Sequence, residues 1–173
     1  MADIGTVIDG NPLDADLDWN PMATKVNDHD ARLLAVEKLG RITGDTFSTD
    51  LVSSGSTEVV GYSQKVNLVS GGLYRVWFKG LMNAGATGNV GMVRIRYDTA
   101  ALSVSSSLAD QAQLPHVASG TFGRETLFFA AEFTAPSSAE YNIGVGVLTA
   151  SGTGNETIVS STTSTKIWVD RIG

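Results

Sequence analysis

The chain has 173 residues, of which 42% are hydrophobic and 17% charged, with a formal net charge of −6. It can therefore bury a core and is no disordered polymer, while its acidic balance and scattered basic residues exclude a phosphate-gripping nucleic-acid surface. Cysteine is absent, which excludes disulfides, zinc–thiolate sites and thiol nucleophiles and leaves packing and oligomerisation to hold the fold.

The opening stretch, MADIGTVIDGNPLDADLDWN, has neither a basic start nor an apolar centre and does not read as a secretory leader. No apolar run approaches the roughly 20 residues that span a bilayer. Synthesis in a cytoplasm is the expectation. Residues 1–19 form an acidic arm in which Asp14, Asp16 and Asp18 alternate with Ala15, Leu17 and Trp19. The arm has too few apolar groups to fold alone. It is expected to lie along another surface as an anchor, with Leu13, Leu17 and Trp19 as its grips.

Residues 20–40 read as a helix. Asn20 suits the N-cap, Pro21 the first helical position and Gly40 the position past the end. With Trp19 at heptad position a, the a and d positions are Trp19, Met22, Val26, His29, Leu33 and Val36. A seam this narrow fits a coiled coil better than the surface of a sheet. Lys25 and Arg32 fall at g, Asp30 and Glu37 at e. In a parallel assembly these give the opposite-sign pairs Lys25–Asp30 and Arg32–Glu37 between neighbours; an antiparallel one sets Lys against Arg. The run Arg32-Leu33-Leu34-Ala35-Val36-Glu37 fits the Arg-h-x-x-h-Glu pattern of parallel trimers, the Arg stem covering an apolar layer while its head reaches Glu on the next chain. His29 at d reads as a polar layer that fixes register rather than an axial ion site. A lone helix of this length is marginal in water, so a partner is required.

From Gly44 onward helical periodicity gives way to alternation. Strands are expected at Thr46–Val52, Thr57–Tyr62, Lys65–Val69, Leu73–Met82, Val90–Asp98, Leu127–Thr134, Tyr141–Thr149 and Thr165–Ile172. In YRVWFKG, Tyr74, Val76 and Phe78 share one face; in YNIGVGV, Tyr141, Ile143, Val145 and Val147 do. The expected architecture over residues 44–173 is a mainly β antiparallel sandwich of jelly-roll type.

Catalytic constellations are not evident. His29 and His116 are the only imidazoles, and His116, in a loop after Pro115, leaves a Ser–His–acid set open without specific support. GNVGMV lacks the Lys-Ser/Thr ending of a phosphate loop. Asp14-x-Asp16-x-Asp18 lacks the Gly and distal Glu of a calcium loop. No cofactor, metal or enzymatic activity is expected. Trp77, Tyr97 and Trp168 are candidate glycan contacts on a jelly roll, Trp77 and Trp168 each lying opposite the apolar face of its strand. That placement also suits burial between subunits, which is the favoured reading.

The segment IDGNPLDADLDWNPMATKVNDHDARLLAVEKLG resembles the N-terminal part of small structural proteins of tailed bacteriophages, especially those infecting actinobacteria. There an extended lead precedes a helix with an Asn-x-His-x-x-Arg-Leu-x-x-x-Glu core, supplied here by Asn27, His29, Arg32, Leu33 and Glu37. The β-half is similar too, with GLYRVWFKG, VRIRYD and a last strand ending IWVDRIG; Arg171 departs from the Val-Glu-Asp-Ile-Gly close common in that family. The resemblance implies a trimeric virion-surface protein, anchored to capsid or tail by its N-terminal end, with a jelly-roll head. The role that the resemblance implies is capsid decoration, head fibre or minor tail protein, or alternatively a host-receptor or glycan-binding fibre module.

Overall fold

The computed structural model describes residues 40–118 and 124–173. Among them every regular element is a strand: β1 Gly40–Phe47, β2 Leu51–Val52, β3 Val59–Leu68, β4 Leu73–Ala84, β5 Val90–Asp98, β6 Ser107–Pro115, β7 Arg124–Thr134, β8 Ala139–Ser151, β9 Glu156–Val159 and β10 Ser161–Arg171. They form two antiparallel sheets. One runs β1-β10-β4-β9-β2 with β7 on the other edge of β4, and the second runs β3-β8-β5-β6. The arm at 1–19 and the helix at 20–39 lie outside the described residues.

Alternation builds the core between the sheets. Tyr74, Val76 and Phe78 of β4 are buried, as are Tyr141, Ile143, Val145 and Val147 of β8, in accord with the sequence pattern. Val93 and Ile95 of β5 and Ile167 and Val169 of β10 complete the same cluster. Burying one such side chain contributes about 1.5–3 kcal/mol.

The strand boundaries differ from expectation in instructive ways. The expected pair Thr57–Tyr62 and Lys65–Val69 is one strand, β3, interrupted by a bulge between Gly61 and Ser63 in its pairing with β8. The extra residue is Tyr62, whose φ of 50° is unusual for a bulky side chain. The expected Thr46–Val52 divides into β1 and β2, and β1 begins at Gly40, whose φ of 102° suits glycine. Two strands were not expected. β6 is an edge strand carrying Asp110, Gln111, Gln113 and Pro115, with only Ala109, Ala112 and Leu114 partly buried. β9 is four residues long, too short for alternation to register.

A candidate interaction face on the β1-β10-β4-β7 sheet

The register of the four strands places outward residues in rows that run straight across the sheet. Arg75 of β4 pairs with Glu132 of β7 and Asp170 of β10, and Asp170 pairs with Arg41 of β1. This row therefore reads Glu132, Arg75, Asp170, Arg41, alternating in sign. Two residues along, Ala130, Trp77, Trp168 and Gly44 form the next row; two further, Phe128, Lys79, Lys166 and Thr46 form a third.

The rings make one continuous platform. Trp77 stacks on Phe128 with centroids 5.4 Å apart and on Trp168 at 6.1 Å, and Phe128 lies 6.1 Å from Trp168. Such ring pairs contribute roughly 0.5–1.5 kcal/mol beyond area burial. The ion row fixes the platform from one side. Trp77 Nε1–H donates to Asp170 Oδ2 at 2.8 Å, and Arg75 Nε–H donates to Glu132 Oε1 at 2.8 Å. The Arg41 and Arg75 guanidinium carbons lie over the Trp168 and Trp77 rings at 5.1 and 5.5 Å, within cation–π range. On the other side Lys79 and Lys166 sit opposite each other, a like-charge pair.

Two shape features mark the ends of this face. Phe128, on the β7 edge, is 55% exposed. At the β1 edge, Arg41, Gly44, Thr46, Lys166, Ile167 and Trp168 line a hollow of about 350 Å³. It is open there because Gly44 has no side chain; a Cβ would stand 3.0 Å from the Trp168 Cβ.

Of the sequence-derived candidates, Trp77 and Trp168 come together on this face. Tyr97 does not. It lies on the other sheet, where it stacks on Phe133 at 4.1 Å and packs against the core, and it borders a shallow hollow with Asp98, Ser137 and Tyr141. Phe128 escaped the sequence reading; the signal was its even-position phase in LFFAAEFT, opposite Leu127, Phe129 and Phe133. The trimerisation residues Met22, Lys25, Val26, His29, Asp30, Arg32, Leu33, Val36 and Glu37, and the anchoring residues Leu13, Leu17 and Trp19, lie outside the described residues.

His116 belongs to a different structure. It is fully buried, and its Nε2 is 3.0 Å from Glu156 Oε2, although the two are not aligned as an N–H···O bond. Asn89 Nδ2–H donates to Glu156 Oε1 at 3.0 Å, and the Glu156 N–H donates to Ser53 Oγ. His116 N–H donates to the Asn89 carbonyl, and Thr153 N–H to Asn89 Oδ1. This cluster ties four segments together at one end of the sandwich. Burial pushes the Glu156 carboxyl above its ordinary value against the pull of Asn89 and His116. Neither ring nitrogen of His116 meets a hydroxyl, so the Ser–His–acid arrangement left open by the sequence finds no nucleophile here. Among the described residues no group of three or more His, Asp or Glu side chains is placed to hold a metal.

No protein-family model and no curated protein sequence matches the chain. Its fold is similar to that of Eiger TNF from S. frugiperda, with a TM-score of 0.50 and 10% identity over 78% of this chain and 94% of that one. It is similar also to VP2 in the subviral particle of infectious bursal disease virus, with a TM-score of 0.40 and 8% identity over 78% of this chain and 38% of that one. A carbohydrate-binding module of Cellvibrio mixtus lichenase 5A, solved with cellotriose, gives 0.39 and 11% identity over 77% and 92%. Likeness at such identities shows the fold alone: a mainly β, jelly-roll-type sandwich of two antiparallel sheets.

Proposed function

We propose that the chain is a non-enzymatic, homotrimeric structural protein displayed on the surface of a tailed-phage particle, as capsid decoration, head fibre or minor tail protein. In this reading the arm at 1–19 grips the capsid or tail, the helix at 20–40 joins three chains, and the sandwich forms the outward head. The observation that carries it is the platform of Trp77, Trp168 and Phe128 beside a row of ions of both signs. Aromatic and Arg side chains are the groups that subunit interfaces concentrate, and a row containing both signs can pair with a copy of itself. The heptad seam and the Arg32–Glu37 pattern support the number three; the resemblance of the arm and helix supports the phage.

Labelled antibody against the sandwich, applied to purified particles, tests the location. Decoration confined to head or tail, lost when residues 1–18 are deleted, is the expected result; particles that carry no label contradict the proposal. Glycan binding by the same Trp77–Trp168 row is the reading of another class, resting on the same stacked rings. Saturable retention of the intact protein on a glycan array, abolished by Trp168→Ala, would favour it over subunit contact.

A further inference from the structure

The aromatic face is asymmetric, and its two edges fit each other. The β7 edge presents a knob, Phe128, 55% exposed with its ring stacked on Trp77, and an anion, Glu132. The β1 edge presents the hollow lined by Gly44, Thr46, Lys166 and Trp168, and a cation, Arg41, whose side chain is 64% exposed. The two edges are also matched in height. Glu132 lies in one row with Arg41, and Phe128 in one row with Thr46. Rotation about an axis parallel to the strands leaves height unchanged, so it brings the β7 edge of one copy to the β1 edge of the next with Glu132 level with Arg41 and Phe128 level with the hollow.

A twofold axis perpendicular to the strands would do otherwise. It inverts the order of the rows and sets Phe128 near the ion row. Same-edge contact about an axis along the strands would place knob on knob and Glu132 on Glu132, leaving the hollow empty. The head-to-tail arrangement joins unlike edges, and such contacts close into rings when the rotation allows.

We infer that Phe128 of each chain inserts into the hollow beside Thr46 and Trp168 of a second copy of the same chain, with Glu132 of the first facing Arg41 of the second, in a head-to-tail ring. This deepens the proposed homotrimer, on which it rests, by naming the contact. Glycine at 44 keeps the hollow open, and the part of Phe128 that its stack on Trp77 leaves exposed is covered by the next chain. The alternation Glu132, Arg75, Asp170, Arg41 then continues across the joint without a like-charge step.

The absence of native cysteine makes the test direct, since a disulfide forms only where Cβ atoms approach to about 3.8 Å. The full-length protein is prepared as Phe128→Cys, as Thr46→Cys and as the double variant, oxidised, and run without reductant; sedimentation of the reduced samples gives the assembly state. The expected result is a covalent ladder ending at three chains for the double variant, no cross-link for either single variant, and cross-linked pairs when the two single variants are co-assembled. Efficient self-linking of Phe128→Cys alone overturns the head-to-tail contact, as does a reduced trimer whose double variant does not cross-link. A monomeric wild-type chain overturns the homotrimer itself, and this contact with it. Arg41→Glu and Glu132→Arg give an independent arm: each single change should weaken assembly about tenfold or more at low salt, and the two together should restore it, whereas additive weakening overturns the pairing.

Discussion

Glu58 shows how one residue holds a sheet edge. Its side chain is 5% exposed and accepts from Arg94 Nη1 at 2.8 Å and from Arg96 Nε and Nη2 at 2.6 Å, while Arg96 Nη1 donates to the Ser106 carbonyl. Burial alone would raise the Glu58 carboxyl, but the hydrogen bonds from Arg96 and Arg94 outweigh it and hold it below its ordinary value. A carboxyl lowered on folding contributes stability above its unfolded value of 4.5, and that contribution is lost as pH falls below it. Glu58→Gln should cost about 3 kcal/mol by urea unfolding at neutral pH, because Arg96 is left buried without its counter-ion, and should flatten the acid limb of the stability profile. Glu156 acts with the opposite sign. Its folded value is raised, so its contribution declines as pH rises from 4.5 towards that value. Glu156→Gln should therefore remove a decline in that window, seen as a smaller drop in urea midpoint between acid and neutral pH than in the wild type. An unchanged profile in either variant would contradict the assigned coupling.

Among the elements, β8 and β3 explain each other. β8 carries Gly144 and Gly146 on the face away from the core, and both are covered. A Cβ on Gly144 would stand 2.5 Å from the Tyr62 carbonyl and 3.0 Å from the Ser63 Cα, and one on Gly146 would meet Glu58 at 2.1 Å. The bulge at Tyr62 pushes backbone over Gly144, and the bulge turns the Tyr62 ring onto Phe47 at 3.8 Å. Gly144→Ala should lower stability by about 1–3 kcal/mol in chemical unfolding, since backbone and not a flexible side chain must give way; a loss within error would show that the bulge moves freely. This also marks how far the pattern of residues reached. Alternation disclosed β4, β5, β8 and β10, and with them the inward face, because each carries its large apolar side chains on that side. It split β3, because one extra residue inverts the phase of everything after it. It passed over β6 because an edge strand is held mainly by backbone bonds, and its Asp and Gln residues read as loop. Trp77 and Trp168 were legible as an outward pair from phase alone. Their contact with each other, with Phe128 and with the hollow over Gly44 depends on strand order, which a single sequence does not contain.

For the whole molecule, the proposed particle-surface role rests on association. The outward face of the β1-β10-β4-β7 sheet carries more aromatic surface than a solvated sheet needs, and its ion row joins unlike charges at both ends. Leu33→Asp or Arg32→Glu should weaken the assembly by disturbing the helix seam read from the sequence, and Trp168→Glu should weaken it by removing the ring that walls the hollow and stacks on Trp77, by about 2–4 kcal/mol per contact in each case; Ala at Thr24, off the seam, should change nothing. The most direct test is sedimentation equilibrium of the unmodified full-length protein over a wide dilution range. A single species of three times the 18.2 kDa chain mass, reduced towards one chain by Trp168→Glu, is the predicted result, whereas a wild-type species of 18.2 kDa at every concentration would contradict it.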